Sequence, residues 1–304
     1  MDDHPAHGAG AVCTDRPPAR SVTIAIVLTA AIFFAEVGGG IISGSLALLG
    51  DAAHMLQDVV ALLLSLGAIL IASRLPTPAR TFGYHRVEIG VAVLNGILLI
   101  GISAVIVSEA LARFSHPRPI DSTVMLGVAL IGLAANLAAM YILHGSHDLN
   151  IRSAFLHVLG DTLSSVAVIA AAIWIALTGQ TFVDPLLSVA IAVLILISSI
   201  SLLREAFRIL LQFAPGDVST EAVIRDIESV GGVDGVHDVH LWSLCSNINV
   251  LDAHVYSCET DVIKLDAIKQ EIKKRLEKYR IRHSTLEFEC QECEDCRVVR
   301  ELKD

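Results

Sequence analysis

Residues 54–58 read His54-Met55-Leu56-Gln57-Asp58, and the pattern returns later in the chain as His157-Val158-Leu159-Gly160-Asp161. Both copies lie inside long apolar runs. Each sets a His and an Asp four positions apart, which on an α-helix is close to one turn and one shared face. Two such helices can offer two imidazoles and two carboxylates to one tetrahedral divalent cation. One polar pair of this kind in an apolar helix also serves as interhelical hydrogen-bond glue. Two pairs are harder to assign to glue, because an ionisable residue at mid-span costs at least ~2.5 kcal/mol even on the most lenient scale. The repeat therefore points to a metal site within a membrane.

Composition agrees. The chain has 304 residues, of which 54% are hydrophobic, and its mean hydropathy is +0.64, far from an ordinary soluble domain. A formal net charge of −10, with every Lys after residue 260, does not suggest nucleic acid as a partner, and none is expected. Apolar segments near 21–43, 46–73, 87–114, 122–143, 153–178 and 183–203 are each long enough to cross a core of ~30 Å. Six spans are expected. Arg16, Arg20, Arg74, Arg80, Arg86, Arg152, Arg204 and Arg208 then fall on one side and only Arg113 and Arg118 on the other, which places both termini in the cytoplasm.

Four regions follow. Residues 1–20 are polar, lack a signal-peptide pattern and read as a disordered cytosolic leader. Residues 21–212 form the six-helix transmembrane domain. Residues 213–289 carry soluble patterning: a helix at 220–229, strands at 236–244 and 248–255, a basic amphipathic helix at 261–279 and a short strand at 284–288. This αββαβ order predicts a small α+β, ferredoxin-like cytosolic domain. Residues 290–304 are a Cys-rich tail.

Several membrane-depth residues need separate readings. Gly38-Gly39-Gly40 and Gly44-Ser45 permit close helix approach. Asn95 and Asn136 read as bundle glue, and Glu36 and Glu88 are left open. Asp51 stands three residues before His54 on roughly the same face, where two roles are open to it: an outer relay and a spare ligand.

The chain resembles the cation diffusion facilitator family and, within it, the zinc-transporting branch. The motifs are residues 45–58 (SLALLGDAAHMLQD), 82–88 (FGYHRVE), 154–161 (AFLHVLGD), Asp184-Pro185 and 236–244 (VHDVHLWSL). The resemblance implies a homodimeric secondary transporter that exports Zn²⁺ from the cytoplasm in exchange for protons across the cell (inner or plasma) membrane, with His54, Asp58, His157 and Asp161 as the transport ligands. It also implies regulatory zinc in the cytosolic domain, on His237, His254, His283 and Glu289. His240 reads as a weaker candidate. The tail, with Cys290, Cys293 and Cys296, resembles that of vesicular zinc transporters in which C-terminal Cys pair with N-terminal His and Cys; His4, His7 and Cys13 stand at the N-terminus here. An unstructured metal scavenger is an equal reading.

Ligand chemistry agrees with the resemblance. Two neutral His and two carboxylates balance M²⁺ in a low-dielectric interior. Mixed N/O donors suit Zn²⁺ better than Mg²⁺, Ca²⁺ or Mn²⁺, whereas Cd²⁺ and Co²⁺ remain compatible. His144, His147 and Asp148 in a cytoplasmic loop can be read as a delivery site or as a solvated loop. His85 reads as structural, and the loop before it lacks the residues for a second metal. Cys245 and Cys258 read as small buried hydrophobes. An enzyme is not expected, since an intramembrane metalloprotease would need the absent His-Glu-x-x-His motif. A membrane-anchored zinc sensor, signalling through its cytosolic domain, is the alternative to a transporter.

Overall fold

A computed structural model describes residues 19–71, 77–143 and 149–290. Six long helices come first: α1 (Ala19–Ser43), α2 (Leu46–Ile71), α3 (His85–Ser115), α4 (Ser122–Leu143), α5 (Leu149–Thr178) and α6 (Val183–Leu210). Then follow α7 (Thr220–Glu228), β1 (Gly235–Cys245), β2 (Ile248–Tyr256), α8 (Val262–Leu276), a 3₁₀ turn (Glu277–Tyr279) and β3 (Ile281–Glu289). The expected αββαβ order is present. The helix α6 runs past the expected end at 203, because Ala206 and Ile209 still have an apolar partner in Ile89 of α3.

The helical part is built inside out. Phe34, Ile42, Val105, Leu194 and Ile197 are exposed on its outside, whereas Glu36, Asp51, Asn95, Ser165, Asp184 and Ser188 are buried within it. Such a distribution suits hydrocarbon as the surrounding solvent. Among the described residues, α3, the Val158–Thr178 part of α5 and α6 are long and apolar enough to cross a membrane. The principal pairings are α3 with α6, α4 with α5 and α1 with α2.

The bundle core of Leu48, Leu99, Met125, Val168, Ala172, Ile191 and Ile195 lies toward the end where α2 begins. At that end the side chain of Asp184, fully buried on the first turn of α6, caps a different helix. It accepts from Ser45 Oγ at 2.5 Å and from the backbone N–H groups of Leu46 and Ala47 at 2.9 and 3.1 Å. These are the orphan donors of the first turn of α2, where a carboxylate is favoured by both hydrogen bonding and the helix dipole. Ser45 Oγ also accepts from Leu48 N at 3.2 Å as a local cap. From α3, Arg113 Nη1 lies 3.6 Å from Asp184 and donates to Gly44 O at 2.5 Å. Gly44 itself has φ +73°, the left-handed conformation this two-residue turn needs. Three helices are thus fixed to one another at one end, and α2 among them.

In the C-terminal domain the sheet order is β1-β2-β3, with β1/β2 antiparallel and β2/β3 parallel. Leu251, Ala253 and Val255 of β2 alternate toward a core shared with Val223 and Ile227 of α7 and Ile272 and Leu276 of α8. The intervening residues, including His254, therefore lie on the opposite face. Asp226 of α7 pairs with Lys278 and accepts from Tyr279 Oη, which together hold its carboxyl below the usual range. The hairpin between β1 and β2 meets the start of α3: Ser246 Oγ donates to Glu88 at 2.9 Å, and Cys245 Sγ lies 4.0 Å from His85 Nδ1. Cys245 is buried as expected. Cys258 is not: it follows the end of β2 and is exposed, with Sγ 3.4 Å from Tyr256 Oη.

Replacing Asp184 with Ala leaves three donors and an arginine short of their buried acceptor. Breaking a buried ionic partner of this kind costs about 3–5 kcal/mol. Thermal unfolding in detergent should show a clearly lowered midpoint for Asp184→Ala and a smaller loss for Asp184→Asn, which keeps an acceptor. An unchanged midpoint in Asp184→Ala would contradict this reading of the cap.

Candidate functional site

Two clusters of metal-ligating side chains form among the described residues. The first joins α2 to α5. His54 and Asp58 are one turn apart on α2, and His54 Nδ1 lies 3.9 Å from Asp58 Oδ2 and 3.8 Å from Asp161 Oδ1. Ligand atoms on a tetrahedral zinc with bonds of ~2.0–2.1 Å are about 3.3 Å apart. Small rotations would bring the three donors onto one ion. His157 precedes Asp161 by four residues on α5; its side chain lies outside the described residues.

Neighbouring contacts hold these helices in register. Ser164 Oγ of α5 donates to Asp51 at 2.5 Å, and Ser198 Oγ of α6 donates to Gln57 at 3.1 Å. Burial deepens along α2 toward its capped end. His54, Asp58 and Asp161 are 30, 21 and 22% exposed, whereas Asp51 is 8% exposed and Glu36 on α1 only 2%. The three donors are thus partly exposed, whereas the acidic residues nearer the capped end are buried.

The second cluster is on the open face of the small sheet. His237 and His254 are direct cross-strand partners on β1 and β2, and Glu289 ends β3 next to Tyr256. His254 Nδ1 lies 2.7 Å from Glu289 Oε1, and His237 Nε2 lies 3.1 Å from Glu289 Oε2. The second contact is off the hydrogen-bond direction, so the buried His237 Nε2 has no hydrogen-bond partner among the described residues. A buried imidazole nitrogen left in that state, facing a carboxylate, is suited to sharing a cation with it.

His283 does not join this cluster. It pairs in register with Val250, away from His254, and its ring meets Phe82 edge-on at 5.5 Å. His240 comes closer than strand alternation predicts. A bulge at Asp238, which adopts φ +48°, inserts an extra residue between the His237 and His240 pairings, and residues three apart return to one face. Asp238 then lies 3.3 Å from His240 Nε2 and 3.8 Å from His254 Nε2. The positive φ was the available signal, since Asp is among the few residues that tolerate it. Cys290 is exposed at the end of β3. His4, His7, Cys13, His144, His147, Asp148, Cys293 and Cys296 lie outside the described residues.

A polar pair of donors on adjacent apolar helices, above a small sheet domain, has a counterpart among known families. Residues 22–211 match the cation efflux transmembrane domain, and residues 215–289 match the cytoplasmic domain of cation efflux proteins. The chain belongs to the cation efflux family. Its relatives include the metal cation efflux system protein CzcD of Cupriavidus metallidurans, 42% identical over 278 residues that span 90% of this chain and 88% of the relative. The zinc transporter ZitB of Pectobacterium atrosepticum is 41% identical, over 93% of this chain and 89% of its own length. A cadmium, cobalt and zinc/H(+)-K(+) antiporter of Bacillus subtilis is 38% identical, over 89% and 88%. This cation efflux family member is therefore a membrane protein with both of the family's domains.

A cation on the sheet cluster stabilises whatever brings its ligands together. At a zinc concentration one hundred times Kd the gain is about 2.7 kcal/mol, or roughly a hundredfold slower opening. Amide exchange of the full-length protein should show β1, β2 and β3 protected by zinc, and the protection should vanish in His237→Ala/His254→Ala. Zinc-independent exchange in the wild type, or protection undiminished in the double variant, would reject metal binding there.

Proposed function

We propose that this chain is a secondary active transporter that moves Zn²⁺ out of the cytoplasm in exchange for protons, through a site made of His54, Asp58, His157 and Asp161. The observation that carries the reading is the convergence of His54, Asp58 and Asp161 from two different apolar helices. The relatives named for zinc transport and for antiport support the substrate and the exchange. Cd²⁺ and Co²⁺, named in the antiporter relative, are compatible with the same donors.

Charge explains why this donor set can carry a divalent ion through a low-dielectric region. Two neutral imidazoles and two carboxylates leave a zinc-loaded site with no net charge. After release the two carboxylates face each other in an apolar bundle, which is costly. Imidazole nitrogens and carboxylate oxygens that release the metal are free to take protons in its place. Metal and protons thus compete for one set of atoms, and the empty carrier returns protonated. A site whose donors come from two different helices suits a carrier whose helices rock about it.

The same reading places both termini and the small domain in the cytoplasm and the helices in the cell membrane. It makes the protein a homodimer, in keeping with the dimer for which the matching cytoplasmic family model is named. His237, His254 and Glu289 then hold regulatory zinc at the end of the sheet opposite the hairpin that touches the start of α3.

Replacing Asp161 with Ala removes one of two balancing charges, a penalty of several kcal/mol in a low-dielectric site. Zinc uptake into proteoliposomes carrying Asp161→Ala should fall to background while the protein elutes as the wild type does. Near-normal uptake in this variant would sink the site assignment.

A further inference from the structure

On the capped side of the proposed transport site lies a second polar pocket. A cavity of about 20 Å³ is lined by Ile32 and Glu36 of α1, Asp51, His54 and Met55 of α2, Asn136 of α4 and Asp161 of α5. That is room for one small occupant, since a water needs roughly 10–15 Å³ on the same measure. Glu36 is 2% exposed, and its Oε2 has no hydrogen-bond partner among the described residues. Buried carboxylate oxygens in that state are rare in native proteins and call for an occupant. Asp51, 8% exposed, accepts from Ser164 Oγ at 2.5 Å through Oδ1. Asn136 donates its Nδ2 to Ser165 Oγ at 3.3 Å, so its amide oxygen is the group it can offer to the cavity.

Position gives the pocket its meaning. Asp51 precedes His54 by about one turn toward the Asp184-capped end of α2, away from the end of the bundle that the small domain touches. His54 and Asp161 belong to both the donor cluster and the wall of this cavity. The cavity therefore adjoins the donor cluster directly, with two side chains common to both. We propose that Glu36, Asp51 and Asn136 form a second, transient subsite for the same divalent cation, on its release path.

This proposal rests on the transport reading above and extends it. The two carboxylates match the charge of a divalent ion, as the transport donors do. All three donors are oxygens, with no imidazole among them. Such a set is harder and holds zinc less tightly than mixed N/O donors. Weak binding is what a release station needs, because conduction fails when an intermediate site holds its ion too well.

Two variants test the idea from opposite directions. Glu36→Gln keeps the shape and removes the charge. Gly132→Ala keeps the charge but brings a Cβ to 2.8 Å from Glu36 Oε1, which displaces the carboxylate. For each, in a His237→Ala/His254→Ala background that removes the sheet cluster, zinc flux at saturating zinc is measured in proteoliposomes, and zinc affinity of the purified protein is measured in detergent. Both variants should lose flux by about tenfold or more while zinc affinity stays within about threefold of wild type, because the transport ligands are untouched. Retained zinc binding also certifies that the variant is folded; if Glu36→Gln fails that check, Gly132→Ala decides alone. Flux within about twofold of wild type in the binding-competent variant would overturn the proposal, since a merely structural, hydrogen-bonded Glu36 tolerates Gln or a small shift. Loss of zinc binding together with flux in Gly132→Ala would also overturn it, by making Glu36 part of the main site. Failure of the transport reading looks different: Asp161→Ala would then keep both flux and zinc binding.

Discussion

A divalent cation cannot enter a low-dielectric bundle unless its charge is balanced there, and the balancing groups cannot remain bare once it leaves. This constraint accounts for most of what is unusual in the helical domain. Carboxylates stand where apolar side chains would be cheaper, on α1, α2, α5 and α6. They are not scattered. Asp58 and Asp161 meet His54 within 4 Å, Glu36 and Asp51 share a cavity with those donors, and Asp184 is satisfied by the first turn of α2. Their division of labour follows from their partners. Asp184 has a full set of donors and belongs to the scaffold; Glu36 Oε2 lacks one among the described residues and belongs to the ion's path.

The scaffold sets what can move. Asp184 and Arg113 fasten α2, α3 and α6 at one end. The proposed transport donors lie between that cap and the other end of α2. The other end of the bundle is where the small domain touches it, through Ser246 to Glu88 and Cys245 to His85 at the start of α3. A cation that tightens the sheet at His237, His254 and Glu289 would stiffen β1, and β1 leads directly into the hairpin that meets α3. β1 thus joins the sheet cluster to the hairpin, and the hairpin contacts the start of α3.

Much of this architecture was legible in the chain. The His-x-x-x-Asp repeat marks the donors because a helix turns them to one face, and the helices and strands lie close to where hydropathy and alternation place them. What escaped has a common cause, namely dependence on partners distant in sequence or on backbone conformation. Asp184 could be noticed before Pro185, but its partner Ser45 is 139 residues away. Strand alternation puts His240 opposite His237, until the bulge at Asp238 reverses it. His283 is close to Glu289 in sequence yet pairs with Val250, because β3 runs parallel to β2 and carries it toward the other end of the sheet. Glu36 was undecidable from α1 alone; only the approach of α2 and α4 shows that its carboxylate faces a cavity shared with Asp51 and Asn136.

The central claim is that metal and protons exchange at one set of side chains. Proteoliposomes holding the purified protein, with a zinc indicator and a pH-sensitive dye trapped in a weak buffer, record both movements at once when zinc is added outside. Zinc uptake should be accompanied by proton movement in the opposite direction, accelerated by an imposed proton gradient, and both signals should weaken together as external pH falls and protons compete for the ligand atoms. Zinc uptake with no accompanying pH change would make the protein a uniporter and contradict the account.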